Sequence, residues 1–499
     1  MPVLDDTPLA AIDIGSNSFR LEIAQIRRGR YRRISYFKRV VRLGAGLDAE
    51  SRLVESAALR GLECLAEFAG HLEGMAPAHI RAVATQTLRE AANRNAFLLR
   101  AERTLGHSIE VISGREEARL IFAGVSHLQP SDERRLVIDI GGRSTEMILG
   151  QLRQPSSAES FPVGSVGLSM RYFADGRITA DRFRAAQIAA GAEFEEALAE
   201  FAPARWHEAL GCSGTIGAVS DILRAARVTD GSITPRALAW LIERCIAAGD
   251  VKALDLPALK DDRRAVLPGG IAILYTLVAH FGIRSLAPAK GALRQGVIVD
   301  LHERLAATRR ASVTDMRDAT VRDLQGRFGV DAAQAQRVRE VALALYDGVA
   351  LDDNPEARRE LGWACDLHEI GMALSHHDHH RHSAYMLGHL DAPGFSQSQQ
   401  RRLADLALAQ RGGLRKCETL LQHAPSAWQV LCLRLAVIRC HARGPLQPPD
   451  IVLTRNAPDR AWVGWRPARM PMNPRTMYLL LEEAQAWART GQMRIELAA

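Results

Sequence analysis

Lysine is nearly missing from this 499-residue chain. It occurs only at positions 38, 252, 260, 290 and 416, so the formal net charge of +7 rests almost wholly on arginine. A GC-rich genome produces the same bias, yet arginine's planar fork suits bidentate phosphate contacts, and the excess admits a polyanionic partner. Cysteine is also scarce. The seven (Cys64, Cys212, Cys245, Cys365, Cys417, Cys432, Cys440) are odd in number, scattered and without metal-binding spacing, which points to a reducing cytoplasm. The start lacks the basic-then-apolar pattern of a signal peptide. The longest apolar stretch, 271–283, contains His280 and Gly282 and is too short to span a bilayer. A cytoplasmic protein without a transmembrane segment is expected, with peripheral membrane association left open. No low-complexity tail or long linker is evident, and no aromatic set suggests a nucleotide-base pocket. The composition, 47% apolar and 24% charged, is that of an ordinary globular protein. Its length exceeds what one core serves, so roughly three or four domains are expected.

Two segments read as copies of one device. The first is Ala10-Ala11-Ile12-Asp13-Ile14-Gly15-Ser16-Asn17-Ser18-Phe19-Arg20-Leu21-Glu22-Ile23-Ala24. The second is Leu136-Val137-Ile138-Asp139-Ile140-Gly141-Gly142-Arg143-Ser144-Thr145-Glu146-Met147-Ile148-Leu149-Gly150. Each is a β-prone run, then Asp-Ile-Gly, a small polar turn, then a second β-prone run. Such a hairpin brings backbone N–H groups close to an anion, and its aspartate can face a Mg²⁺ ion or its waters. Two copies, each opening an α/β stretch, suggest duplicated half-domains facing each other across a phosphate-filled cleft.

The rest of the amino half alternates. Strand-like runs lie at 34–41, 80–85, 109–112 and near Ser160; helical spacing covers 51–70, 88–104, 116–125 and 181–201; a strand–turn–helix covers 209–223, and helices run on to about 305. Strands alternating with helices argue for two α/β domains, 1–130 and 131–308. From 309 the chain reads as helix after helix, with β-prone runs only at 451–453 and 461–463.

Three further motifs bear on chemistry. Gly211-Cys212-Ser213-Gly214-Thr215 precedes a helix, where a Ser-Gly-Thr turn either binds an anion or only caps. Ser113-Gly114-Arg115-Glu116-Glu117-Ala118-Arg119 puts paired acids in a first helical turn. Glu116 reads as a dipole complement, whereas Glu117, lying between the two hairpins, suggests a general base. In the carboxyl half, within and around Leu367-His368-Glu369-Ile370-Gly371 and His380-Arg381-His382-Ser383-Ala384-Tyr385, the residues His368-Glu369, His376, His377, His379, His380 and His382 invite a metal reading.

Together with Ala84-Thr85-Gln86-Thr87-Leu88-Arg89-Glu90-Ala91 and Gly291-Ala292-Leu293-Arg294-Gln295-Gly296, these motifs resemble the exopolyphosphatase / guanosine pentaphosphate phosphohydrolase family over nearly the whole chain. The resemblance implies two duplicated actin-like, sugar-kinase-like (ribonuclease H-like) domains followed by a mainly helical HD-like region. It implies hydrolysis of a terminal phosphoanhydride bond with Mg²⁺, and with a monovalent cation such as K⁺ as a further candidate. Glu117 would be the general base, and Asp139, Glu146 and Asp13 would hold the metal directly or through water. The terminal phosphates would be gripped by Gly15, Ser16, Asn17, Ser18, Arg20, Arg89, Gly141, Gly142, Arg143, Ser144, Thr145, Gly211, Ser213, Gly214, Thr215 and Arg263, since such catalysis is mostly positioning and charge neutralisation. A homodimer is expected, and no specific nucleic-acid partner.

The chain departs from the family pattern in three places. Arg143 stands where a third glycine is usual, Glu193 where a lysine is common, and Lys290 where an aspartate precedes Gly291. The HD-like set is incomplete, because the pair is His368-Glu369 and the upstream stretch 336–347 holds no histidine. A structural or a polyanion-binding role for this half is the main expectation, with Arg381, Arg401, Arg402, Arg411 and Arg415 as candidate contacts. Inorganic polyphosphate is the leading substrate and guanosine pentaphosphate the alternative; a non-catalytic sensor is a third reading, resting on Arg143 and Lys290.

Overall fold

The computed structural model describes residues 7–308, 315–351, 354–467 and 469–498. The chain forms two compact units, Met1–Thr314 and Asp315–Ala499. The division expected at 308/309 opens onto residues 309–314, which lie outside the described residues.

Two five-stranded sheets of one design make up the first unit. β1 (Leu9–Ile14), β2 (Ser18–Arg27) and β3 (Arg30–Val40) form an antiparallel meander, and β4 (Ile80–Ala84) and β5 (Ile109–Val111) add in parallel, giving the order β3-β2-β1-β4-β5. The second sheet repeats this with β6 (Arg135–Ile140), β7 (Thr145–Gln151), β8 (Gln154–Phe161), β9 (Glu208–Cys212) and β10 (Ala287–Pro288), in the order β8-β7-β6-β9-β10. This is the duplicated actin-like arrangement. β1 and β6 are buried along their whole length, as near-continuous apolar runs should be when both faces are covered. Successive side chains enter different cores: Ala10, Ile12 and Ile14 pack under the helices of their own half, while Leu9 and Ala11 belong to one core with Val137, Ile148 and Leu210 of the other sheet.

Two helices, Gly114–Leu128 and Leu293–Ala307, are wedged in that shared core. They approach so closely that a Cβ at Gly296 would clash with the Leu120 carbonyl and one at Gly124 with the Ala292 carbonyl. Small residues at this crossing bring both sheets onto one pair of helices. The first helix begins at the cleft, and its cap, Ser113, accepts a bond from the Glu116 N–H at 3.1 Å.

One expected helix is broken. The stretch 88–104 divides into Gln86–Glu90 and Arg94–Leu105. Between them Asn93 exchanges hydrogen bonds with the Leu53 N–H and carbonyl, and the Ala92 N–H donates to Ser51. Docking against the 51–53 segment outweighs helical propensity there. Ser51 is left-handed (φ 56°) and Leu53 bridges to Leu47, so the helix expected from 51 begins at Glu55.

The second unit is mainly helical, with helices from Met316 to Arg439 and a last one at Pro474–Ala488. Trp363, Trp428 and Trp487 anchor its core. β11 (Asp450–Ala457) and β12 (Arg460–Arg466) form at the two expected β-prone runs, and β13 (Arg494–Leu497), which no sequence signal announced, pairs parallel to β12. Among the described residues no helix is long and apolar enough to cross a membrane.

Candidate active site

The two hairpin tips and the turn after β9 line one cleft of about 390 Å³. Their backbones are near copies. In each, the first glycine faces the carbonyl of the residue three places on: a Cβ at Gly15 would lie 3.0 Å from the Ser18 oxygen, and one at Gly141 would lie 3.0 Å from the Ser144 oxygen. Either methyl would push the tip open. The third turn is strained in its own way. Ser213 has φ 82°, a region non-glycine residues rarely occupy, and its hydroxyl donates to the Ile140 carbonyl at 2.9 Å.

Charge distinguishes the copies. In the first hairpin Asp13 lies opposite Arg20, and the Arg20 guanidinium donates to the Asp13 carboxylate at 3.1 Å. At the corresponding position in the second, Asp139 lies opposite Glu146. Two buried acids therefore share one strand pair. Burial, then the Glu117 charge, pushes Asp139 up to about 7. Burial and the charges of Glu117 and Asp139 drive Glu146 well above its ordinary range, although it accepts a 2.9 Å bond from the Ser160 hydroxyl. The second hairpin is thus the one with negative charge left to neutralise.

Glu117 enters the cleft from the first turn of its helix. Burial raises its pKa, and the Arg89 guanidinium, 2.8 Å away, opposes that rise. The neighbouring Glu116 turns the other way. It is fully buried in an ion-pair network in which Arg119 grips it at 2.7 and 2.8 Å and Asp300 ties Arg119 to Arg81. One residue of helical rotation separates an acid locked in ion pairs from one that lines the cleft.

Arg263, held against Gly214 where any Cβ would collide with it, lines the cleft beside Arg20. Burial and the Arg20 charge lower its pKa, so it gains by meeting an anion. The cleft also collects Arg33, Tyr36 and Lys38 of β3 and Ser165, which motif reasoning missed, together with Lys290, Arg294 and Gln295, which lie in or beside a quoted motif but were given no site role. The basic run in β3 was a visible signal, but a bulge at Ile23/Ala24 sets which of its residues face inward.

Sixteen of the expected site residues line the cleft, from Asp13, Gly15–Ser18 and Arg20 through Glu117, Asp139, Gly141, Gly142 and Ser144 to Gly211, Ser213–Thr215 and Arg263. Four do not. Thr145 is fully buried and donates to the Val163 carbonyl at 2.6 Å, so it fastens the hairpin to the chain beyond β8. Arg143 turns away to Glu90 (2.8 Å) and the Gly44 carbonyl (3.2 Å). Arg89 stands behind Glu117, with one terminal nitrogen buried and unpartnered. Glu146 sits behind Asp139. Among the described residues no three His, Cys, Asp or Glu side chains converge on a metal position, so the expected trio of Asp13, Asp139 and Glu146 forms no closed cage. The same holds in the second unit, where His368 donates to the Cys365 carbonyl at 2.7 Å, Glu369 pairs with Arg443, and Arg411 contacts His379.

Comparison with known proteins agrees with this fold. Residues 22–305 match the Ppx/GppA phosphatase family, and residues 316–462 match domain III of the Ppx/GppA phosphatases. The chain is similar to the solved structure of an exopolyphosphatase-like protein (26% identity, TM-score 0.55, covering 60% of this chain and 99% of that one). It is also similar to the PPX-GPPA enzyme of Aquifex aeolicus (25%, 0.50, 59% and 99%). An exopolyphosphatase from Cytophaga hutchinsonii (24%, 0.53, 60% and 98%) shares the fold. With both family regions matched in order on this duplicated fold, the chain belongs to the Ppx/GppA phosphatase family and is a hydrolase of phosphoanhydride bonds.

Proposed function

We propose that this protein is an exopolyphosphatase that releases orthophosphate from the end of inorganic polyphosphate. The observation that carries the reading is Glu117: a buried carboxylate with a raised pKa, reaching into a cleft walled by anion-binding turns and by Arg20, Arg263, Lys38, Lys290 and Arg294. In this reading the hairpin tips and arginines hold the terminal phosphate. Glu117 takes a proton from a water whose oxygen attacks the terminal phosphorus. The bond to the bridging oxygen breaks, and the shortened polyphosphate leaves. A base with its pKa raised toward neutrality suits that transfer and typically supplies about 10²–10⁴-fold.

The donor set also fits Mg²⁺. That ion keeps several waters and takes one or two carboxylates plus substrate phosphates, not a closed protein cage. Asp139 is the principal candidate, with Asp13 and Glu146 as neighbours acting directly or through water. The ion would neutralise phosphate charge. Polyphosphate is favoured over guanosine pentaphosphate because Tyr36 is the one aromatic ring among the described lining residues, and Arg33 and Arg294 already face it at 5.6 and 5.1 Å.

The test is phosphate release from long-chain polyphosphate and from guanosine pentaphosphate, side by side, with and without Mg²⁺. Faster turnover of the nucleotide would reverse the substrate assignment. Release from neither substrate in Mg²⁺ would make the protein a binding module.

A further inference from the structure

Arg143 crosses between the two halves of the first unit, from the tip of the second hairpin to residues belonging with the first sheet. Its Nε donates to Glu90 Oε2 at 2.8 Å, its Nη2 lies 2.7 Å from the same oxygen, and its Nη1 donates to the Gly44 carbonyl at 3.2 Å. The crossing is accommodated by the backbone. A Cβ at Gly44 would stand 2.8 Å from Arg143 Cδ, so any other residue there would displace the side chain. Gly44 has an ordinary φ, and the space is what its missing side chain provides.

From Glu90 the contacts continue. Gln86 Nε2 donates to Glu90 Oε1 at 2.6 Å, and Arg89 Nε donates to Gln86 Oε1 at 2.8 Å. Arg89 Nη1 in turn donates to Glu117 Oε2 at 2.8 Å and to the Ile112 carbonyl at 3.0 Å. One unbroken chain of hydrogen bonds thus joins the second hairpin tip to the carboxylate read as the base. Gln86 is its neutral link: its amide nitrogen serves an acid and its carbonyl serves a base, so neither charge competes for the other's partner.

We propose that Arg143 is a positioning residue: by clamping Glu90 and the Gly44 carbonyl across the cleft, it holds Gln86 and Arg89 in the one arrangement that aims Glu117. It does not touch the phosphates. The inference rests on the reading of Glu117 as general base, and deepens it by making base alignment depend on the two halves being latched together.

The test compares Arg143→Ala, Arg143→Lys, Gln86→Leu and the double variant Arg143→Ala/Gln86→Leu for phosphate release from polyphosphate, with thermal melts alongside. Arg143→Ala should lower kcat on the order of tenfold or more with KM nearly unchanged, since a small misalignment of a catalytic group is costly. Gln86→Leu leaves the Arg143–Glu90 contact in place but cuts the chain in the middle, and should lower kcat to a similar extent. The double variant should be no worse than either single one. Arg143→Lys, which keeps the pairing with Glu90, should recover part of the loss. A raised KM with unchanged kcat in Arg143→Ala would make Arg143 a phosphate ligand. Unchanged kcat in Gln86→Leu, or additive losses in the double variant, would overturn the relay. If Glu117→Gln retains its rate, the base reading fails first; if that variant is inactive while Arg143→Ala is not, only the relay fails.

Discussion

Asp139→Asn offers the sharpest test of the second hairpin, because stability should rise while affinity for the metal falls. Burial, and then the Glu117 charge, lift Asp139 from an ordinary 3.8 to about 7. Between those values the folded protein keeps a proton that the unfolded chain has released, so stability falls as pH rises through this window and stays low above it. At roughly 1.4 kcal/mol per unit, the ceiling is about 4 kcal/mol by pH 8. Asparagine carries no charge and escapes the penalty; it also relieves Glu146, which the Asp139 charge helps to raise. In the absence of divalent ions the variant should therefore melt several degrees above wild type at pH 8 and close to it at pH 4. Adding Mg²⁺ should raise the wild-type melting temperature, because an ion bound only by the folded state stabilises it, and should barely move the variant. Phosphate release by the variant should need at least about tenfold more Mg²⁺, an amide being a poorer hard-cation ligand than a carboxylate. The assay is a set of melts from pH 4 to 8 with and without Mg²⁺, paired with a Mg²⁺ titration of activity. Superimposable melting profiles would show that Asp139 is not held under electrostatic strain. A superimposable titration would remove it from the metal site.

Glu117→Gln should cut kcat by about 10²–10⁴-fold while polyphosphate binding survives; more than a tenth of the wild-type rate would place the base elsewhere. Arg263→Ala should raise KM for short polyphosphates by an amount equivalent to roughly 1–3 kcal/mol, as expected for a charge-assisted contact, and an unchanged KM would exclude it from the phosphate site. Thr145→Val should cost about 1–2 kcal/mol of stability by orphaning the buried Val163 carbonyl, and KM should hold; a large KM increase in a stable variant would return Thr145 to the list of phosphate ligands. A chain ending near residue 305, if circular dichroism shows it folded, should hydrolyse short substrates but lose its preference for long ones, and an equal preference would refute a polyanion-binding role for the carboxyl half.

The sequence alone determined the parts of this protein whose physics is local. Asp13-Ile14-Gly15 and Asp139-Ile140-Gly141 each join a β-prone run to a turn rich in glycine and hydroxyls. That spacing sufficed to identify two hairpins and to place Glu117 between them in the chain. The asymmetry of the copies, Arg20 against Glu146 at matching positions, emerged when the strands were paired. Tertiary structure decided what depends on partners far along the chain. Arg143 reaches residues 53 and 99 positions away, so a guanidinium at a hairpin tip became a latch and not a phosphate contact. Thr145 became a fastener because Val163 passes beside it. The helix expected across 88–104 broke where the 51–53 segment docks, and β3 contributed Arg33, Tyr36 and Lys38 through a bulge that no propensity announces. Turn chemistry and hydrophobic period act within a few residues; the direction and charge state of a side chain are set by whatever the fold packs against it.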